Sequence, residues 1–160
     1  MVSFHSIRIA TASDIPAIVA VVNPAFQVEI FLSGTRTDEK NVADHMQKGE
    51  FLLMEDASGN IIASVYVEQR GERGYFGMLA VEPSRQGQGL GTRMVGVAEQ
   101  HIRAKGCTYM DIKVLSARTE LPPYYRKLGY GETGTEEFHP TRPLKPGIEC
   151  HCIIMSKRLA

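Results

Sequence analysis

Ser84-Arg85-Gln86-Gly87-Gln88-Gly89-Leu90-Gly91-Thr92-Arg93-Met94 decides how this chain is read. It follows an apolar run, Gly77 to Val81, closed by Glu82-Pro83, and it leads into an amphipathic segment. The local order is therefore strand, glycine-rich loop, helix. Gly87, Gly89 and Gly91 stand at alternate positions. They free one side of the loop of side chains, so backbone N–H groups can approach a ligand closely. The helix behind adds unpaired N–H groups and the positive end of its dipole. Together these features bind phosphate.

Outward from the loop, Leu90, Met94, Val97, Ala98 and Ile102 recur at helical spacing and form a core-facing stripe. Lys105-Gly106 closes that helix. Tyr109 to Leu115 reads as a strand whose apolar run predicts burial on both faces. Strand, helix and strand make a βαβ unit. Upstream, Phe51 to Glu55 and Ile61 to Val67 flank Ala57-Ser58-Gly59-Asn60, a hairpin by composition. Gly71-Glu72-Arg73-Gly74 marks a second hairpin, into Tyr75 to Val81. Phe4 to Ile9 alternates as a half-buried strand. Ile15, Ile18, Val19 and Val22 form a helical stripe, ended or kinked at Asn23-Pro24. Ala25 to Thr37 fits a second helix followed by a loop, and Asp38 to Lys48 a short helix capped by Thr37 or Asp38. Downstream come a helix from Glu120 to Leu128, a strand from Tyr130 to Phe138, a proline-rich loop from His139 to Gly147, and a last strand from Ile148 to Ser156. The fold class is α+β (mixed α/β): a mixed sheet of about seven strands flanked by helices.

The loop does not fit other phosphate binders well. A Walker A loop needs Gly-Lys-Ser/Thr after its first glycine, and none follows. A dinucleotide fingerprint needs its third glycine at 92, where Thr92 stands, although Asp111 lies at a ribose-carboxylate distance. A nicotinamide-dependent oxidoreductase is thus one competing class. A tight turn without a ligand is another reading, at a high cost in glycine.

Gln86-Gly87-Gln88-Gly89-Leu90-Gly91 resembles the Q/R-x-x-G-x-G/A motif of the GNAT family of N-acetyltransferases. Tyr124-Tyr125-Arg126-Lys127-Leu128-Gly129-Tyr130 is similar to the family's second signature. The resemblance spans Phe4 to Leu159. It implies one domain over residues 1–160, with a sheet splayed between its fourth and fifth strands. It implies acetyl-CoA as acyl donor and no metal. The backbone of Gln86, Gly87, Gln88, Gly89, Leu90, Gly91 and Thr92 would hold the pyrophosphate. The pantetheine arm would pair with Leu79 and Val81, and N–H groups around Leu79, Ala80 and Val81 would serve the oxyanion. Arg85 and Arg93 stand near enough to neutralise phosphate or to lie solvated on the surface.

Tyr125 matches the family's general acid. A phenol of reference pKa about 10 can protonate a thiolate whose own is about 8.5. Tyr124 is assigned to the core. The base stays open among Glu68, Glu82, His139 and water, since Glu72 falls in a turn and Tyr75 occupies the strand position where some family members carry it. Arg118 stands close to the place of a pantetheine-contacting asparagine, a departure from the family pattern. The acceptor is an amine on a small molecule, a peptide N-terminus or a lysine. Its site is expected from Ala25 to Thr37, the Gly71 to Gly74 hairpin and the His139 to Gly147 loop. A non-catalytic acyl-CoA-binding or sensing module is the alternative.

Eighteen basic residues balance eighteen acidic ones, which argues against general nucleic-acid binding. No apolar run is long enough for a membrane span, and the N-terminus does not read as a signal peptide. Three cysteines, Cys107, Cys150 and Cys152, make no disulfide framework and point to a cytoplasmic location. Cys150 and Cys152 are expected on one face of the last strand, as packing residues. By family habit, a homodimer would form through the last strands.

Overall fold

The computed structural model describes residues 5–140 and 142–159. Phe4, the first residue of the expected first strand, lies outside them. The strands are β1 (Ser6–Ile9), β2 (Glu50–Glu55), β3 (Ile61–Arg70), β4 (Arg73–Val81), β5 (Tyr109–Leu115), β6 (Gly131–Glu137) and β7 (His151–Arg158). The helices are α1 (Ile15–Ala25), α2 (Glu39–Met46), α3 (Leu90–Ala104) and α4 (Leu121–Lys127). The seven strands form one sheet in the order β1-β2-β3-β4-β5-β7-β6. β4 and β5 are parallel, and every other neighbouring pair is antiparallel.

β2 and β3 are buried on both faces, with Phe51 to Met54 and Ile62 to Val67 all inaccessible. One face packs under α3 through Met94, Val95, Ala98 and Ile102. The other packs under α1 and α2 through Ile18, Val21, Val22 and Val42. Gly74 lets α3 sit close, because a Cβ there would collide with Ile102. The stripe of α3 departs from the expected one: Val97 is half-buried, while Val95 and Glu99 face inward. Glu99 is tolerated there because it accepts from the Tyr130 hydroxyl (2.7 Å) and from Lys157 Nζ (3.1 Å).

β5 corrects one expectation. Met110, Ile112 and Val114 are buried, but Tyr109 and Lys113 are exposed, so only one face is covered. The polar residues of the other face carry ion pairs: Arg73 grips Asp111 with two bonds of 2.7 and 2.6 Å, and Lys113 reaches Glu136 at 2.7 Å. Asp111 is thereby taken up and is not free for a ribose.

The expected helix within Ala25 to Thr37 is absent. α1 runs through Pro24 to Ala25, and the chain then turns repeatedly: Glu29 N–H donates to Phe26 (3.1 Å) and Leu32 N–H to Glu29 (3.1 Å). Asn23 clamps the far end, giving its amide to the Thr37 carbonyl (3.1 Å) and accepting from the Thr37 N–H (2.9 Å). Asp38 then caps α2 by accepting from Asn41 N–H at 2.7 Å. The proline-rich loop is pinned to this segment: Ser33 N–H donates to Pro143 (2.9 Å) and Lys145 N–H to Phe31 (2.9 Å).

Among the described residues no helix is long and apolar enough to cross a membrane. β7 begins at His151, so Cys150 precedes the strand instead of sharing a face with Cys152. Cys152 is buried, and Cys150 is half-buried beside the Ser116 hydroxyl (3.6 Å).

Candidate active site

The parallel pair β4–β5 holds register only from Arg73–Tyr109 to Tyr75–Asp111. Beyond Tyr75 the two strands part. β4 stays paired to β3 but has an open edge toward β5. That pairing is irregular between Ser64 and Tyr66, which face Ala80 and Gly77. β4 therefore carries an extra residue, and Met78 takes φ +48°. A non-glycine residue there is strained, and such bulges re-aim backbone groups. The bulge was not legible beforehand.

The gap opens into a cavity of about 460 Å³. Its floor is Phe76, Gly77, Met78 and Leu79 of β4 and Ile112, Val114 and Leu115 of β5. Tyr124, Tyr125 and Leu121 of α4 close one end. Phe26, Glu29, Leu32 and Arg36 close the other, with Arg118 and Arg142. Phe138 and His139 stand on its rim. The Gly71 to Gly74 hairpin, expected at the acceptor site, does not line it.

α4 presents Tyr125 through a tight exit. Gly129, at φ +99°, turns the chain so that Tyr130 N–H returns to the Tyr125 carbonyl (3.0 Å). That return explains the spacing of tyrosine, glycine and tyrosine in the second signature. Tyr125 is 7% exposed and packs edgewise against Tyr124 and Tyr130 and at a tilt against Phe76. Burial pushes its phenol well above the usual tyrosine range, with the neighbouring Tyr124 adding to this and Arg118 opposing it. Tyr125 thus keeps its proton at neutral pH. Tyr124 is not simply core: it is half-buried, lines the cavity, and shares a 2.7 Å hydrogen bond with the Thr92 hydroxyl on the glycine loop.

The loop itself is exposed beyond the cavity. A 3-10 turn, Pro83–Arg85, follows β4, and the Gln86 amide donates to the Val81 carbonyl (3.2 Å). Gly87 and Gly89 adopt φ +82° and +77°, a region glycine enters freely. Gly89 occupies the cap position of α3, and no side chain caps the helix. The N–H groups of its first turn, from Leu90 to Thr92, therefore face outward without a protein acceptor. Gly91 is different: it lies inside that turn with ordinary helical φ. Arg85 is paired with Asp56 (2.8 Å), whereas exposed Arg93 donates to the His5 carbonyl (3.3 Å).

Of the expected site residues, the cavity brings together Leu79 and Tyr125. Ala80 and Val81 are buried beside it on β4, and Gln86 to Thr92 form the surface beyond the Tyr124 end. Among the base candidates only His139 reaches the cavity. Glu68 is turned to Arg70 (2.6 Å), Glu82 lies toward Arg85 (3.6 Å), and Glu72 is exposed in its turn. Tyr75 lines the cavity, its hydroxyl lying over Gly77 where a Cβ would meet it at 2.6 Å.

Ala25 to Thr37 and the His139 to Gly147 loop, two of the three segments expected at the acceptor site, do line the cavity, but sequence reasoning missed how their charges meet. Glu29 is 4% exposed and accepts from Arg118 Nη1 (2.9 Å) and from Arg142 Nη2. Arg118 also reaches Glu120 at 2.6 Å. Arg36 lies over the Phe26 ring, 5.3 Å from its centre. These residues are separated by up to 113 positions, and no local pattern marks them.

Known proteins resemble this chain in sequence and in fold. Over 130 residues the chain is 26% identical to mycothiol acetyltransferase of Saccharopolyspora erythraea, covering 79% of this chain and 43% of that protein. Over 81 residues it is 31% identical to an acetyltransferase of Yersinia enterocolitica, covering 51% of this chain and 57% of that protein. The chain thus spans about half the length of the curated relatives it matches. The fold matches that of the ribosomal-protein-S18-alanine N-acetyltransferase of Escherichia coli, with TM-score 0.79, 18% identity, and 98% and 95% of the two chains covered. It also matches a phosphinothricin acetyltransferase of Sinorhizobium meliloti solved with acetyl-CoA, with TM-score 0.77, 17% identity, and 100% and 90% covered. The sequence profile of the acetyltransferase (GNAT) family matches residues 17–130. The chain belongs to that family.

Proposed function

We propose that this chain transfers an acetyl group from acetyl-CoA to the nitrogen of an amine, by direct attack with both substrates bound. The observation that carries this reading is the open edge of β4, which lies between an uncapped helix start and the hydroxyl of the largely buried Tyr125. The backbone from Gln86 to Thr92 would take the pyrophosphate, and the edge around Leu79 and Val81 would pair with the pantetheine amides. N–H groups freed near the Met78 bulge would stabilise charge developing on the thioester oxygen. Tyr125 would give its proton to the departing sulfur. The amine's proton would leave through water at the rim beside His139.

One observation favours the alternative, a non-catalytic acyl-CoA-binding module: Glu68, Glu72 and Glu82 all lie off the cavity. Tyr125→Phe separates the two. An enzyme loses turnover by about 10²-fold, while acetyl-CoA affinity by calorimetry changes less than about threefold. Its pH profile adds a sign. Burial raises the Tyr125 pKa, so the protonated form persists, and wild-type turnover does not fall through loss of this proton below about pH 10. Unchanged turnover in the variant, or affinity falling in step with turnover, would sink the role given to Tyr125.

A further inference from the structure

The charged end of the cavity has one cation too many. Arg36, Arg118 and Arg142 all line it with Glu29; the other lining carboxylates are Glu136, paired with Lys113 (2.7 Å), and exposed Glu137, beside His139 (3.9 Å). Glu29 is used up by Arg118 and Arg142, and Arg118 draws further on Glu120 from outside. Arg36 has no ion pair and no side-chain hydrogen bond among the described residues. Its face is covered by Phe26. Burial pulls its pKa down from the usual arginine range, and Arg142 adds to this, while Glu29 and Tyr75 oppose it. A half-buried guanidinium without a carboxylate leaves donors unmet, which is costly in a cavity wall. Its planar fork suits a carboxylate or a phosphonate.

The position is fixed. The turns from Phe26 to Leu32, the clamp of Asn23 on Thr37 and the pairing of Ser33 with Pro143 hold the segment that carries Arg36. Apolar surface lies beside it, from Phe26 and Leu32, which an acceptor's stem can cover. Tyr125 lines the same cavity.

Resting on the reading above, we infer that the acceptor is a small amine bearing an anionic group, a carboxylate or phosphonate, which Arg36 binds while the amine faces the thioester. Among the described residues Arg36 is the one lining arginine without a carboxylate partner, so one anionic group is matched. The aromatic and aliphatic wall selects a short apolar stem between the two ends.

The test uses the purified full chain with saturating acetyl-CoA and free-thiol detection. Glycine, β-alanine, 4-aminobutyrate, leucine and phenylalanine are each compared with their carboxamides, and 2-aminoethylphosphonate is run with ethylamine as its neutral counterpart. The expected result is a kcat/KM advantage of about 10- to 100-fold for the best anionic member over its neutral counterpart. Arg36→Gln then removes that advantage, mainly through KM, with acetyl-CoA affinity and melting temperature held. Arg36→Lys restores part of it. Carboxylate and phosphonate substrates are told apart by which of them is turned over. Neutral amines matching their acids, no turnover of any anionic member, or an Arg36→Gln variant that keeps the acid-to-amide ratio would each overturn the inference. Failure of the broader reading looks different: calorimetry would then show no acetyl-CoA binding at all, and both proposals would fall together.

Discussion

At the Tyr125 end of the cavity and along the glycine loop beyond it, the surface offered to a ligand is mostly backbone. It is a strand edge freed by splaying, a bulge at Met78 and the first turn of α3. At the Arg36 end the surface is side chains, brought from the turns after α1, from Arg118 and from the proline-rich loop. The difference has a consequence. Backbone groups are offered by every residue type, so the first end depends on conformation and little on identity. The second end depends on which charges meet, and it can change without disturbing the sheet. On the proposed function, a shared acyl donor would belong at the first end, and selectivity for the acceptor at the second.

Glu29→Gln strikes the side-chain end hardest. It leaves Arg118 and Arg142 without their common carboxylate, in a place where Arg142 is 7% exposed. Breaking a buried pair from one side costs about 3 to 5 kcal/mol. For a chain of this size that lowers the melting temperature by roughly 6 to 20 °C, measurable by circular dichroism. If melting is unchanged, the charges are not holding the loops, and the contrast between the two ends loses its basis.

Gly89→Ala strikes the backbone end more gently. The variant must hold φ +77° with a Cβ, at a cost of about 1 to 2 kcal/mol. No protein atom lies within 4 Å of the added carbon, so crowding contributes nothing. The expected outcome is a modest fall in melting temperature with weaker acetyl-CoA binding. Normal affinity in a destabilised variant would mean that the left-handed cap does not shape the phosphate site.

What could be read beforehand follows the same division. Six strands were placed within two to three residues, because alternation, hairpin glycines and caps act over short spans, and β5 was bounded at Tyr109 and Leu115 as found. The Tyr125 end was legible because a loop of alternate glycines and a tyrosine four residues before a glycine are local signals. Burial on β5 was misjudged, since whether a helix covers a strand face is decided elsewhere in the chain. The absent helix after Ala25 has a related cause: Glu29 turns inward to meet Arg118 and Arg142, 89 and 113 residues away. No window around Glu29 contains them. Arg36 was invisible for the same reason, because being unpaired is a property of the whole cavity.

Gly91→Ala is the smallest perturbation and the sharpest test of the backbone end. Gly91 sits in the first turn of α3 without a positive φ, so its backbone alone does not require glycine. An added Cβ would lie 3.8 Å from the Tyr124 hydroxyl and 3.9 Å from Val81, which is ordinary contact. The protein therefore has room for alanine. Alanine lowers the entropy lost on folding and stabilises a helical site by about 0.4 to 1 kcal/mol, which is a rise of roughly 1 to 4 °C in melting temperature. Anything this variant loses must then come from a molecule outside the chain. A several-fold weaker acetyl-CoA affinity in a slightly more stable protein would show that the glycine serves close approach to the ligand. Unaltered affinity would leave Gly87 and Gly89 as the residues the phosphate site depends on, and would confine the glycine requirement to the two positions of positive φ.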